Sequence, residues 1–325
     1  MSGKMSVWQH RILQPALTSL SVGRMGHALL LAGPAQIGKR AVADALIQRL
    51  LCTGADGAAM ACGRCRGCRF VGAGSHPDFL NIGLEVNQKT GKLRQEVVVE
   101  QIRRLSEWFS LTPQLGGCQV AIIDPADALN ASAANALLKT LEEPLPGRYL
   151  LLISAKPSRL SATIRSRCQR LQFKLPERAE ALRWLGEQGF DPDSSERALA
   201  AAGGHPGLAA EWLAGDGLAL RTAVAHDMQR LAEGRAGAAA VADAWLLDDN
   251  IELRLRFAGE YALHMARRSL TSERVMNKLW QWFVEANRLR GLLATPIRAD
   301  LALAGLLHQW RNVGQAEDDP WWSRA

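Results

Sequence analysis

Ala28-Leu-Leu-Leu-Ala-Gly33-Pro-Ala-Gln-Ile-Gly38-Lys39-Arg40 is the stretch that decides the fold. Its apolar opening reads as a buried strand, and the pattern from Arg40 to Leu51 reads as a helix. Between them Gly33 to Lys39 matches GxxxxGK in a strand, loop and helix context, which is the setting of a phosphate-binding loop. Glycines let backbone N–H groups curl around phosphate oxygens, the lysine reaches the terminal phosphates, and the helix N-terminus adds its dipole. Gly33, Gly38 and Lys39 are therefore candidate nucleotide contacts. The next position should carry a hydroxyl for Mg²⁺, but Arg40 stands there and cannot ligate a cation. The competing reading is a glycine-rich turn with no ligand.

A second strand pattern, Val120 to Asp124, ends in a carboxylate where an ATPase would hold its metal and attacking water. Such an enzyme needs a second acid directly afterwards as general base, yet Pro125 and Ala126 follow, and Asp127 arrives too late. Asp124 either completes a degenerate nucleotide site or caps the following turn. No intrinsic ATPase activity is expected. Binding of ATP or ADP without hydrolysis stays open, because the backbone cradle is intact.

A third strand pattern runs from Tyr149 to Ser154, and helical patterns cover Val99 to Phe109 and Ala131 to Glu143, the latter closed by Pro144. Alternation of this kind predicts an α/β fold with a parallel sheet and crossover helices. From about Pro176 the strand signals vanish and only helical spacing remains, interrupted at Gly203-Gly-His-Pro-Gly207 and Gly215-Asp-Gly217. The expected division is an α/β domain over 1–175, a small helical domain over 176–213 and a larger helical domain over 214–325. Six of the ten tryptophans (Trp245, Trp280, Trp282, Trp310, Trp321 and Trp322) fall in the last of these, where core is the default reading.

Composition agrees with a folded chain: 48% of the 325 residues are hydrophobic and 22% charged. A formal charge of +7 fits work beside a polyanion, although no run of like charges concentrates it. The opening residues lack an apolar core of signal-peptide type, and no long uninterrupted apolar run follows. The expectation is a cytoplasmic protein that does not enter a membrane.

Cys52, Cys62, Cys65 and Cys68 form a Cx9CxxCxxC array. Four soft donors with CxxC steps suit a closed tetrahedral Zn²⁺ site with a structural role, within a module at about 52–75. A disulfide pairing would need an oxidising compartment. Arg64, Arg66 and Arg69 offset the negative charge of four thiolates on a dication. Cys118 and Cys168 lie apart and are expected to be buried thiols.

After the third strand comes Thr163-Ile-Arg-Ser-Arg-Cys-Gln-Arg170. Arg167 in its Ser-Arg-Cys triplet suits a finger that reaches across a subunit boundary and neutralises charge on a transferred phosphoryl group. The plainer reading is a surface salt bridge. Taken with His27-Ala-Leu-Leu, His76-Pro-Asp and Ala134-Asn-Ala-Leu-Leu-Lys-Thr-Leu-Glu-Glu-Pro144, these motifs resemble the AAA+ subunits of the bacterial DNA polymerase III clamp loader over about residues 20–175. Active members of that family carry GKT or GKS, paired acids, and a phosphate-sensing Arg after the glycines of the second domain. The chain departs from all three, with Gly203 to Leu208 in the last place.

The resemblance therefore implies the non-hydrolysing subunit type of that loader. Its implied partners are gamma or tau and delta subunits in a five-membered ring, with the beta sliding clamp and primed DNA reached through the assembly. It also implies that Arg167 points into a neighbour's ATP site, that the four cysteines hold zinc, and that the C-terminal helices form an oligomerising collar. The two alternatives are an ATP-hydrolysing gamma or tau type and a zinc-containing nucleic-acid-binding adaptor.

Overall fold

The structure, a computed structural model, describes residues 5–54, 60–88, 91–268, 273–293 and 297–314. It divides into two compact units, Met1–Ala210 and Glu211–Ala325. The first runs α1 (Val7–Ser21), β1 (Ala28–Ala32), α2 (Lys39–Leu50), α3 (Arg66–Gly72), β2 (Phe79–Ile82), α4 (Val99–Ser110), β3 (Gln119–Ile123), α5 (Ala131–Glu142), β4 (Arg148–Ser154), α6 (Ala162–Arg167), β5 (Gln169–Gln172), α7 (Arg178–Glu187) and α8 (Pro192–Ala201). Helix α9 (Pro206–Ala214) carries the chain across the division. The second unit continues with α10 (Gly217–Ala232), α11 (Ala238–Trp245), α12 (Ile251–Arg268), α13 (Glu273–Leu292) and α14 (Ala299–Gly314).

The five strands pair in parallel in the order β2-β3-β4-β1-β5. Strands buried on both faces should be continuously apolar, and β1 and β3 are buried at every position. Their side chains alternate between two cores. Leu29, Leu31, Val120, Ile122, Leu151 and Ile153 pack with α1 and α2 on one face. On the other, Leu30, Ala121, Ile123, Leu150 and Leu152 pack with α4, α5 and α6. All three strands expected from sequence are present, displaced by no more than a residue. The two edge strands, β2 and β5, were not expected.

Helix α5 shows how its sequence sets its limits. The Asn130 side chain accepts from Ala133 N–H at 2.9 Å and caps the first turn. Ala133, Leu137 and Leu141, four residues apart, form the buried stripe. Pro144 then prevents extension beyond the end at Glu142.

The second unit is helical throughout its described residues and built around tryptophans. Trp245, Trp282 and Trp310 are buried, and each indole N–H has a partner: Asp227 Oδ2 at 3.0 Å, Leu306 O at 2.8 Å and Met228 O at 2.8 Å respectively. Trp282 and Trp310 meet edge to face with centroids 4.9 Å apart. Trp280 departs from the core expectation, since it is 54% exposed on α13. Helical periodicity explains the difference: two residues along a helix is a turn of roughly 200°, so Trp280 and Trp282 face opposite ways. Trp321 and Trp322 lie outside the described residues. Among the described residues, no helix is long and apolar enough to cross a membrane.

Candidate functional site

The loop after β1 has the backbone that its glycines predict. Gly33, at φ 153°, could not be another residue, because a Cβ there would lie 2.4 Å from Phe173 O. Gly38, at φ 89°, opens α2 and lies beneath the Gln9 side chain. From α1, Trp8 Nε1 donates to Ile37 O at 3.0 Å and Gln9 Nε2 to Gly38 O at 3.2 Å. Both bonds fasten loop carbonyls rather than the N–H groups that a phosphate takes.

Lys39 is buried and turned inward. Its ammonium donates to Gly33 O at 2.8 Å and to Pro34 O. Burial pulls it below the ordinary lysine value, and the charges of Asp124 and Asp127 pull the other way.

Arg40 supplies a cation where the motif calls for a metal ligand. Its Nη1 lies 3.3 Å from Asp124 Oδ2 and 3.5 Å from Asn81 Oδ1, and its Nε donates to Asp44 Oδ1 at 2.8 Å. Burial works against this charge, but the bonds to Asp44 and Asp124 outweigh it and raise the guanidinium pKa. Asp124 is thus engaged by an arginine, and the short turn at Ala126–Ala128 that follows has no side-chain cap. Asp127 has work of its own: its Oδ1 accepts from Ala155 N–H at 2.9 Å at the end of β4.

Sequence reasoning missed two contributors. Gly207, in the first turn of α9, brings its backbone so close to Gln36 that a Cβ would sit 2.0 Å from Gln36 O. A glycine directly after the Pro206 that starts a helix was the available signal. Asp78 is 1% exposed, and its carboxylate accepts from Gln114 N–H at 2.7 Å and Leu115 N–H at 2.8 Å, holding the segment that leads into β3. His76 Nδ1 accepts from Asp78 N–H at 3.1 Å, which accounts for both ends of the His-Pro-Asp motif.

The four cysteines come together as their spacing requires. Their sulfurs all lie within 4.8 Å of one another, and none is in a disulfide. Tetrahedral Zn–S bonds of ~2.3 Å place sulfurs ~3.8 Å apart. Cys52 Sγ is 3.5 Å from Cys62 Sγ and 3.8 Å from Cys65 Sγ. Backbone N–H groups of Cys62, Cys65 and Cys68 each donate to the preceding cysteine sulfur of the array, at 3.3 to 3.4 Å. The Cys68 N–H holds Cys65 down at about 5, whereas burial pushes Cys68 up to about 12. Four thiols this close cannot all ionise without a cation, so the donor set fits a metal ion. Arg64, Arg66 and Arg69 are exposed around it.

Arg167, the last residue of α6, lies apart from the loop. Its Nη2 is 2.7 Å from Glu142 Oε1 at the end of α5, and its Nη1 donates to Thr163 O at 3.1 Å. The surface salt bridge considered from sequence is therefore present, with the Arg167 side chain 34% exposed.

Comparison with known proteins points in one direction. The family model described as DNA polymerase III, delta subunit, matches residues 8–177. The chain is 40% identical over 267 residues to the DNA polymerase III subunit delta' of Pseudomonas aeruginosa, covering 80% of this chain and 78% of that one. It is 35% identical over 210 residues to subunit delta' of Escherichia coli, covering 64% and 61%. Similarity extends to the tau subunit of Escherichia coli at 36% over 170 residues, 52% of this chain and 24% of the other.

Proposed function

The chain belongs to the family of DNA polymerase III delta' subunits, and from that premise we propose that it is a non-hydrolysing member of a clamp-loader ring. It joins gamma or tau and delta subunits in a five-membered cytoplasmic assembly that places the beta clamp on primed DNA. The carrying observation is the Arg40–Asp124 pair: a guanidinium occupies the carboxylate that metal-assisted hydrolysis needs. Pro125 and Ala126 leave no neighbouring general base.

In this reading Arg167 is the catalytic contribution, made in trans. Its guanidinium meets charge developing on the phosphoryl group in the neighbour's site. Residues 1–175 serve as the AAA+ body, 176–213 as its small helical partner and 214–325 as the collar. Cys52, Cys62, Cys65 and Cys68 hold structural Zn²⁺, a closed site that supplies no chemistry.

The similarity to tau favours an ATP-hydrolysing subunit as the second reading, and Arg40, Pro125 and Ala126 oppose it. A zinc-containing nucleic-acid adaptor would give the Ser-Arg-Cys triplet no purpose. ATP turnover separates the three. We expect none above background from the isolated chain. In a reconstituted loader, Arg167→Ala should slow the site it serves by roughly 10³-fold or more. Steady turnover by the isolated chain would overturn the reading, and an unaffected Arg167→Ala loader would remove the finger.

A further inference from the structure

We propose that Glu142 is the positioning residue for Arg167, holding its guanidinium aimed outward before any neighbour engages it. This inference rests on the proposed role of Arg167 as a finger acting in trans.

Glu142 is the last residue of α5 and Arg167 the last of α6, so the contact joins two helix ends. Both helices are set by their own caps: Asn130 accepts from Ala133 N–H, and Ser161 accepts from Ile164 N–H at 3.3 Å. Pro144 fixes where α5 stops, and with it the point from which Glu142 projects. The guanidinium thus has one backbone anchor, Thr163 O in its own helix, and one side-chain anchor, Glu142 Oε1, which projects from the end of the neighbouring helix.

The form of the contact matters as much as its presence. A guanidinium has five N–H donors, and a carboxylate that meant to neutralise it would take two of them side by side. Here one carboxylate oxygen lies 2.7 Å from one terminal nitrogen as an ion pair, and the other terminal nitrogen donates to the Thr163 carbonyl at 3.1 Å. The remaining N–H donors are left to meet an anion. A flexible arginine otherwise samples many rotamers, and contacts at both terminal nitrogens narrow that range in advance. Side-chain exposures of 34% and 47% make the pair a weak, salt-screened one, so its effect on folding is small.

Kinetics of the loader reconstituted from full chains provide the test. The comparison uses the parent, Arg167→Ala, Glu142→Gln, Glu142→Ala and the double variant, with kcat, KM for ATP and thermal melting measured for each. Glu142→Ala should lower kcat about two- to five-fold, the range of an exposed ion pair, with KM and melting unmoved. Glu142→Gln, which can still accept one hydrogen bond, should recover part of the loss. Added to Arg167→Ala, Glu142→Ala should change nothing further. An unchanged or raised kcat in Glu142→Ala overturns the inference, as does an equal loss in the Arg167→Ala background. A loader indifferent to Arg167→Ala itself overturns the finger reading instead, a separate outcome.

Discussion

At the scale of the residue, one substitution does two jobs. Arg40 removes the hydroxyl that a metal needs and places a positive charge on Asp124, the acid that would have shared that metal. Restoring a hydroxyl alone should accordingly fail. An Arg40→Thr variant is expected to show no ATP turnover above the parent, because Lys39 remains tied to Gly33 O and no second acid follows Asp124. Detectable turnover would mean that the hydroxyl was the sole deficit. Two other residues carry a pH signature. Burial pushes the thiols of Cys118 and Cys168 up to about 11. A pKa raised in the folded state adds stability that is complete below the unfolded thiol value of about 8.5 and disappears as pH climbs towards 11. Urea midpoints should therefore fall through that window, and a Cys118→Ala, Cys168→Ala variant should show a shallower fall.

At the scale of the element, the cores and the four-cysteine cluster separate cleanly in what they predict. Leu137 is fully buried on α5, and Leu137→Ala should cost about 2–5 kcal/mol in denaturant unfolding. Cys62→Ser should lower the melting temperature of the first unit, and metal analysis of reduced parent protein should return about one zinc per chain. A value near zero would defeat the four-cysteine assignment. These elements differ in how well they can be read from sequence. Strands β1, β3 and β4 lie inside the sheet, and continuous Leu, Ile and Val mark them. Strands β2 and β5 are its edges, where Asn81, Gln169 and Arg170 need not be apolar, so pattern alone passes over them. The same division holds for the site. Gly33, Gly38, Lys39 and the four cysteines are legible because spacing along the chain encodes their geometry. Gly207 meeting Gln36, Asp78 holding Gln114 and Leu115, and Glu142 reaching Arg167 are contacts across the fold, which spacing does not encode.

At the scale of the whole molecule, the two units face different demands. The first keeps the parallel-sheet layout of an AAA+ domain, and the second is a helical body in which most of the described tryptophans are interior. Trp310 and Trp280 should diverge under mutation. Trp310→Ala removes a fully buried ring and should cost about 3–5 kcal/mol, whereas Trp280→Ser on the exposed side of α13 should stay within about 0.5 kcal/mol. If the second unit is the collar, Trp280→Ser will instead weaken co-elution with partner subunits in gel filtration.

The meeting of Gly207 with Gln36 has a consequence for motion. In a subunit that turns over nucleotide, the hinge between the sheet and the helices after it is a coordinate that the ligand drives. Here the Gly207 backbone comes so close to Gln36 at that joint that there is no room for a side chain on Gly207. Amide exchange across residues 33–40 and 203–210 should be the same with and without ATP. If the proposed ring forms, a joint of this kind would act as a bearing surface rather than a piston and give the ring one direction that stays constant while the others cycle.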